Sequence, residues 1–299
     1  MRRSTPQHQS GSGSHAARLA AVIAVMTVLL LALWYTARHY HPSGAPAIAP
    51  TTRPIRIATW NIRKFSERGN PDIVTIARII RESRFDLLAI QEVQQQGQAA
   101  QRLRRQLNEP WRIAISERTG NNERYAFLYR SDAVELLAEP HLLDSPDLRV
   151  FQRAPFRGDF RAGSFDFILL TVHLSYTDTL RRRQEAQALA QYAAALAESQ
   201  SEKDIVILGD FNDQGRGNLH LLEARGWTRL NRFPTNLNSK EVYDNILINP
   251  LYSREWLGTC GVVVFDELYF NNDDKRASDD VSDHRPVWAD FATAGPDDD

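Results

Sequence analysis

The stretch Asp204-Ile-Val-Ile-Leu-Gly-Asp-Phe-Asn212 runs four aliphatic residues into a glycine, then offers two side chains able to hold a cation or a phosphate. Four apolar residues in a row, bounded by polar and turn residues, predict a short strand buried on both faces. Outward in both directions the same ending recurs. The strand candidate Ile55–Trp60 ends at Asn61, the short run Phe85–Ile90 ends at Gln91-Glu92, the strand candidate Asp166–Leu174 carries His173 near its end, and the carboxyl third places Asp244, Asp283 and His284 beside further strand candidates. A single acid after a strand is usually a turn or a helix cap. Many such endings are different, because parallel and mixed sheets gather strand ends along one edge.

Between these strands the periodicity changes. Ile73, Ile76, Ala77, Ile79 and Ile80 recur at helical spacing behind Pro71, and Ala99–Leu107 and Asp178–Glu198 also read as helices. Short strands are expected at Trp111–Ser116, Arg124–Arg130, Ala133–Leu137, Val242–Ile248, Val262–Phe265 and Pro286–Asp290, and a short helix near Leu219–Ala224. Helices join some strands and tight turns join others, which predicts mixed sheets with helices outside.

Of 299 residues, 42% are hydrophobic and 24% charged, a globular balance. Residues 1–41 hold four arginines and no acid; the rest has 32 basic and 37 acidic residues, a net of −5. Such a body lacks the electrostatic footprint of a tight, sequence-independent DNA binder, although a metal and a few arginines can still handle one phosphate at a time. The one cysteine, Cys260, excludes an intramolecular disulfide and a cysteine metal site. Leu19–Tyr35 is 17 residues without a charge, ends in Trp34-Tyr35 and is preceded by Arg2, Arg3 and Arg18. It predicts a transmembrane signal anchor with the folded domain on the exported side, a cleaved signal being the alternative. Residues 1–18 then form a disordered cytoplasmic tail, 36–54 a linker, 55–291 the folded domain and 292–299 an acidic tail.

The residue types fit phosphoester chemistry. Negative charge developing on phosphoryl oxygens must be neutralised and the attacking water activated. Hard oxygen ligands suit Mg²⁺, and Glu92 and Asp283 can provide them. His173 and His284 can move protons if carboxylates orient their rings, for which Glu123 and Asp244 are available.

The segments Ala58-Thr-Trp-Asn-Ile62, Ile90-Gln-Glu92, Asn122-Glu-Arg-Tyr125, Thr171-Val-His-Leu174, Gly209-Asp-Phe-Asn212, Tyr243-Asp-Asn-Ile246 and Ser282-Asp-His-Arg-Pro286 resemble, in order and spacing, the endonuclease/exonuclease/phosphatase family over about 235 residues. The resemblance implies an α/β fold, a four-layer α/β/β/α sandwich of two mixed β-sheets packed face to face with outer helices. It implies Mg²⁺, or Mn²⁺ or Ca²⁺, held by Glu92 and Asp283 with Asn61 assisting at the metal or the phosphate. Asp210 and Asn212 would position phosphate and water, Asp244 would pair with His284 and Glu123 with His173, and Arg153 would bind phosphate.

The second histidine–acid pair resembles the deoxyribonuclease I branch, so a DNase I-like endonuclease acting on DNA is expected, with no obligate protein partner. Two positions depart from that branch. Gln94 follows Val93 where a minor-groove arginine is expected, and Asn121 stands in place of a stacking tyrosine. Arg118, Arg124, Arg149 and Arg157 are candidate replacement phosphate contacts. A phosphatase or phosphodiesterase acting on lipid, inositol phosphate or nucleotide substrates is the alternative, and a non-catalytic binding module a further one.

Overall fold

Thirteen short strands assemble into two sheets in the computed structural model, which describes residues 53–213 and 217–295. The first sheet holds β1 (Ile55–Phe65), β2 (Leu87–Val93), β3 (Trp111–Ile115), β4 (Arg124–Arg130), β12 (Trp256–Val262) and β13 (Val287–Phe291), in the order β12-β13-β1-β2-β4-β3. The second holds β5 (Glu135–Leu136), β7 (Phe156–Ala162), β8 (Phe165–His173), β9 (Ile205–Asp210), β10 (Thr228–Arg229) and β11 (Asp244–Ile248), in the order β10-β11-β9-β8-β7-β5. The short β6 (His141–Leu142) pairs with β7. Both sheets are mixed: β1 runs parallel to β2 and β8 parallel to β9, while the other pairs are antiparallel.

Alternation along the strands sorts side chains into layers. Ile57, Leu87, Ala89, Phe167 and Leu169 meet between the sheets, where Phe127, Phe156 and Phe160 also lie. The intervening Ala58, Trp60, Leu88 and Ile90 face the other way. They pack against α1 (Ile73–Glu82) and α2 (Gln98–Leu107), and against Phe265, Phe270 and Ala277 of the late helices α5 (Phe265–Phe270) and α6 (Asp274–Asp280). On the far face Ile168, Leu170, Val172, Ile205 and Ile207 pack against α3 (Thr179–Ser199) and Leu222 of α4 (His220–Glu223). The fold is therefore the four-layer sandwich, helices outside and two mixed sheets inside. Asp72 and Asp178 fix the starts of α1 and α3 by accepting from Thr75 N and Arg181 N.

The C-terminal third departs from the sequence pattern. Val262–Phe265 is not a strand; β12 ends at Val262, and Phe265 opens α5. Strand β7 is unanticipated, although Phe156, Gly158, Phe160 and Ala162 alternate strictly with Arg157, Asp159 and Arg161. Its arginines make the stretch look like surface loop, yet they only occupy its outer face.

One expectation is corrected. Among the described residues no helix is long and apolar enough to cross a membrane. The longest, α3, carries Arg181, Arg182, Arg183 and Glu185 in its first turns. The anchor predicted at Leu19–Tyr35, the tail before it and residues 36–52 of the linker lie outside the described residues, as does 296–299. A membrane partner and a membrane-anchored, exported location accordingly have no support in the described fold.

Candidate active site

Asp210 closes β9 with its carboxylate buried between the two sheets' ends. It accepts from Asn61 Nδ2 at 2.9 Å through Oδ2 and from the Asn212 backbone N–H at 2.9 Å through Oδ1. Asn61 comes from β1, where the register with β2 shifts between Asn61 and Phe65. That irregularity turns Asn61 across the gap to the opposite sheet, and its Nδ2 also donates to Glu92 Oε1 at 3.1 Å. Glu92 has φ 59 and Asn212 φ 48, left-handed values uncommon for residues other than glycine and concentrated at functional positions.

Two imidazoles flank Asp210. His173 ends β8 with Nδ1 at 3.0 Å from Glu123 Oε2 and Nε2 at 3.6 Å from Asp210 Oδ2. His284 has Nδ1 at 2.7 Å from Asp244 Oδ2 and Nε2 at 3.9 Å from the same Asp210 oxygen. Each ring is thus oriented from behind by one acid and directed at a shared carboxylate in front.

Their surroundings set the proton positions. Full burial alone would lower the His284 imidazolium, but the Asp244 and Asp210 charges and the Asp244 hydrogen bond outweigh it and raise the group to about 10. Asp210 feels burial in the opposite sense, yet the two histidines and Asn61 hold its carboxyl below the usual carboxylate range. Burial pushes the Asp244 carboxyl up, against the pull of the neighbouring His284.

Among the described residues, Asp210, Asp244 and His284 form the group that can hold a metal ion, with one ligand atom from each lying within 4.8 Å of the others. Two buried oxygens here, Asn61 Oδ1 and Asp244 Oδ1, have no hydrogen-bond partner. An unpartnered buried oxygen is costly unless something else satisfies it, and a cation does so. The oxygens of this group fit a divalent ion, to which His284 could add a nitrogen only in its neutral form; a bound ion would polarise a phosphoryl oxygen and neutralise charge there.

The predicted ligands Glu92 and Asp283 line the same cleft but stand outside that group. Glu92 Oε2 accepts from the Lys64 backbone N–H at 2.8 Å, and Asp283 Oδ2 accepts from Asn238 Nδ2 at 3.4 Å. Asn61, Asp210, Asn212, Asp244, His284, His173 and Glu123 are brought together. Arg153 also lines the cleft, although it is only 3% exposed. Its Nε donates to His173 O and its second nitrogen to Leu174 O, both at 2.8 Å, with Glu123 at 3.7 Å. Arg124 is engaged by Gln95 O, Ser116 O and Gln96, and Arg157 by Asp159, so neither is a free phosphate contact.

Several supporting residues escape sequence reasoning. Gln91, buried on β2, donates to Thr59 Oγ1 on β1 at 3.0 Å and to Thr171 Oγ1 on β8 at 2.8 Å, tying the two sheets beneath the site. Glu185 on α3 accepts from Gln152 N and Ser175 N at 2.8 and 2.7 Å, holding the segments that carry Arg153 and follow His173. Ser282 accepts from His284 N and donates to Asn61 O at 2.7 Å. A buried acid inside a helix, such as Glu185, is the one sequence signal of this kind, and it becomes legible only when the helix face is known.

Fold and site together define a metal-dependent phosphoester hydrolase. The chain belongs to the endonuclease/exonuclease/phosphatase family, which residues 58–284 match. A "Deoxyribonuclease" of Thioalkalivibrio sp. (strain K90mix) is 32% identical over 79% of this chain and 71% of its own length. The human "Endonuclease/exonuclease/phosphatase family domain-containing protein 1" is 25% identical over 84% of this chain, which spans only 54% of that relative. An endonuclease/exonuclease/phosphatase of known structure from Bacteroides vulgatus shares the fold with a TM-score of 0.61 and 19% identity, over 80% of this chain and 98% of its own.

Proposed function

We propose that the chain is a divalent-metal-dependent phosphatase or phosphodiesterase that works on one phosphate group of a nucleotide, inositol phosphate or lipid headgroup. The observation that carries this reading is the convergence of His173 and His284 on Asp210 in a cleft of about 420 Å³. That volume suits a small ligand. Asn236, Asn238 and Ser239 line one part of the cleft and Asn121 and Gln152 another, amide and hydroxyl groups that can bind a polar leaving group. The substrate-reading contacts of the deoxyribonuclease I resemblance are incomplete: positions 94 and 121 are Gln and Asn, and Arg153, although it lines the cleft, spends two nitrogens on the carbonyls of His173 and Leu174.

In this reading His284, protonated and backed by Asp244, donates to the departing oxygen. His173, backed by Glu123, takes the proton of the attacking water. Asn61 and Asn212 orient the phosphate, and with His284 kept as the acid a metal would be held by oxygens alone, those of Asp210, Glu92 and Asp283, with Mg²⁺, Mn²⁺ or Ca²⁺ as candidates.

A second reading, a DNase I-like endonuclease, has its own support: the Glu123–His173 pair at 3.0 Å and the deoxyribonuclease relative at 32% identity. A substrate panel separates the two. Plasmid DNA, RNA, a nucleotide, inositol phosphates and a lipid phosphodiester are each offered with Mg²⁺, Mn²⁺, Ca²⁺ or EDTA. Metal-dependent turnover of a small phosphoester without plasmid nicking is the expected result. Nicking at a higher kcat/KM than any small substrate would establish the second reading, and full activity in EDTA would overturn both.

A further inference from the structure

At the opposite ends of the same strands lies a second cavity, of about 450 Å³. On β1, Arg56 lines this cavity while Asn61 reaches the catalytic cleft; five residues of strand separate them by roughly 17 Å. Arg53, Arg56, Arg81, Arg84 and Arg130 all contribute to its walls, against only two acids, Asp86 and Asp290. The lining therefore carries a surplus of three positive charges on a domain that is acidic overall.

The acids account for some of the arginines. Asp86 accepts from Arg53 at 2.6 and 3.0 Å, and Asp290 from Arg56 at 2.7 and 2.9 Å; Arg56 is further fixed over the Trp288 ring at 3.6 Å. Arg130 is paired with Asp132 at 2.7 Å. Arg81 has one long contact, to Gln106 O at 3.4 Å, and the Arg84 guanidinium has no hydrogen bond or ion pair among the described residues. Two exposed forks thus keep their donors available beside three arginines held rigidly in place.

Arg84 also stands where another residue is easier. It follows the Ser83 cap of α1 with φ 58, the left-handed position at which helices usually carry glycine. The chain accepts that strain and gains a cation at the cavity mouth. Phe85 and Trp111 add apolar wall beneath the arginines.

We propose that this cavity is a binding site, separate from the catalytic cleft, for a small ligand bearing one or two phosphates. Planar guanidinium forks match phosphate oxygens two at a time, and several forks around one cavity suit a polyanion rather than a carboxylate. The phosphate lies between Arg81, Arg84 and Arg130.

Isothermal titration of the full chain in EDTA, with pyrophosphate and with ADP as probes, tests the site without metal-assisted binding in the catalytic cleft. One molecule bound per chain is expected. Equal affinities assign the site to free phosphate groups, and tighter ADP binding assigns it to a nucleotide. The doubly substituted R81E/R84E chain is expected to lose at least tenfold in affinity while phosphoester turnover stays within twofold of the parent. Arg84→Gly, which relieves the left-handed strain, is expected to keep or raise Tm and still weaken binding. Absence of binding by both probes at millimolar concentration, or binding undiminished in R81E/R84E, would overturn the proposal.

Discussion

Asp244→Asn removes one charge from the centre of the site and leaves its shape almost unchanged. The carboxylate is fully buried, its backbone N–H is held by Thr235 Oγ1 at 3.1 Å, and Oδ2 lies 2.7 Å from His284 Nδ1. A charge-assisted hydrogen bond of this kind contributes about 1.5–3 kcal/mol. The kinetic loss should be larger, because the imidazole loses both its orientation and the charge that keeps it protonated. A positioned acid or base contributes roughly 10²–10⁴ in rate, about 3–5 kcal/mol at 1.36 kcal/mol per decade. We therefore expect kcat to fall about 10³-fold at saturating metal, a condition that separates lost acid catalysis from weakened metal binding. The pH profile should move as well. With Asp244 present the imidazolium survives to about 10, and without it the alkaline limb should shift towards acid by at least one unit. Circular dichroism checks that the variant folds. A folded Asp244→Asn protein with parental kcat and an unmoved alkaline limb would refute the assignment of His284 as an acid held by Asp244.

Gly209 has φ 140, and a Cβ there would sit 2.0 Å from Val172 O on the neighbouring strand. Gly209→Ala should push β9 from β8, cost roughly 2 kcal/mol or more in urea unfolding, and abolish turnover by displacing Asp210. Phe160 packs against Phe127 at 5.4 Å and Phe167 at 5.8 Å between the sheets, so Phe160→Ala should cost roughly 3–5 kcal/mol by denaturant titration, with KM unchanged in the folded fraction. His284 has a folded-state value raised from 6.5 to about 10, so its stabilisation is complete below about pH 6.5 and is lost as pH rises towards 10. In EDTA the Tm advantage of the parent over His284→Ala should shrink across that window; a gap that widens would contradict the sign.

Much of the sandwich is legible because its strands are short apolar runs ended by polar side chains. Arg124–Arg130 is a strand over the very residues expected, and the helix predicted at Asp178–Glu198 is shifted by a single residue, to Thr179–Ser199. Failures fall where local pattern and environment disagree. Val263 and Val264 favour a strand by composition, but β12 stops at Val262 and the chain turns so that Phe265 can enter the outer core against Trp60 at 5.6 Å. Phe156–Ala162 alternates as a strand should, and its three charged residues hide the fact.

From the sequence by itself came the endings, Asn61, Glu92, His173, Asp210, Asp244 and His284, and the chemical class they allow. Periodicity and residue type are local properties, so a chain read residue by residue reveals them. Only the tertiary structure decided which endings meet. It put both histidines on one carboxylate and tied Arg153 to the carbonyls of His173 and Leu174. It also placed Asp244 in the group that can hold a metal while leaving Glu92 and Asp283 on the wall of the cleft. The physical reason is that these outcomes depend on distances of 2.7–3.9 Å between residues as far apart in the chain as Asn61 and Ser282, set by sheet register and by buried cross-sheet bonds such as Gln91–Thr171. No local pattern encodes such distances.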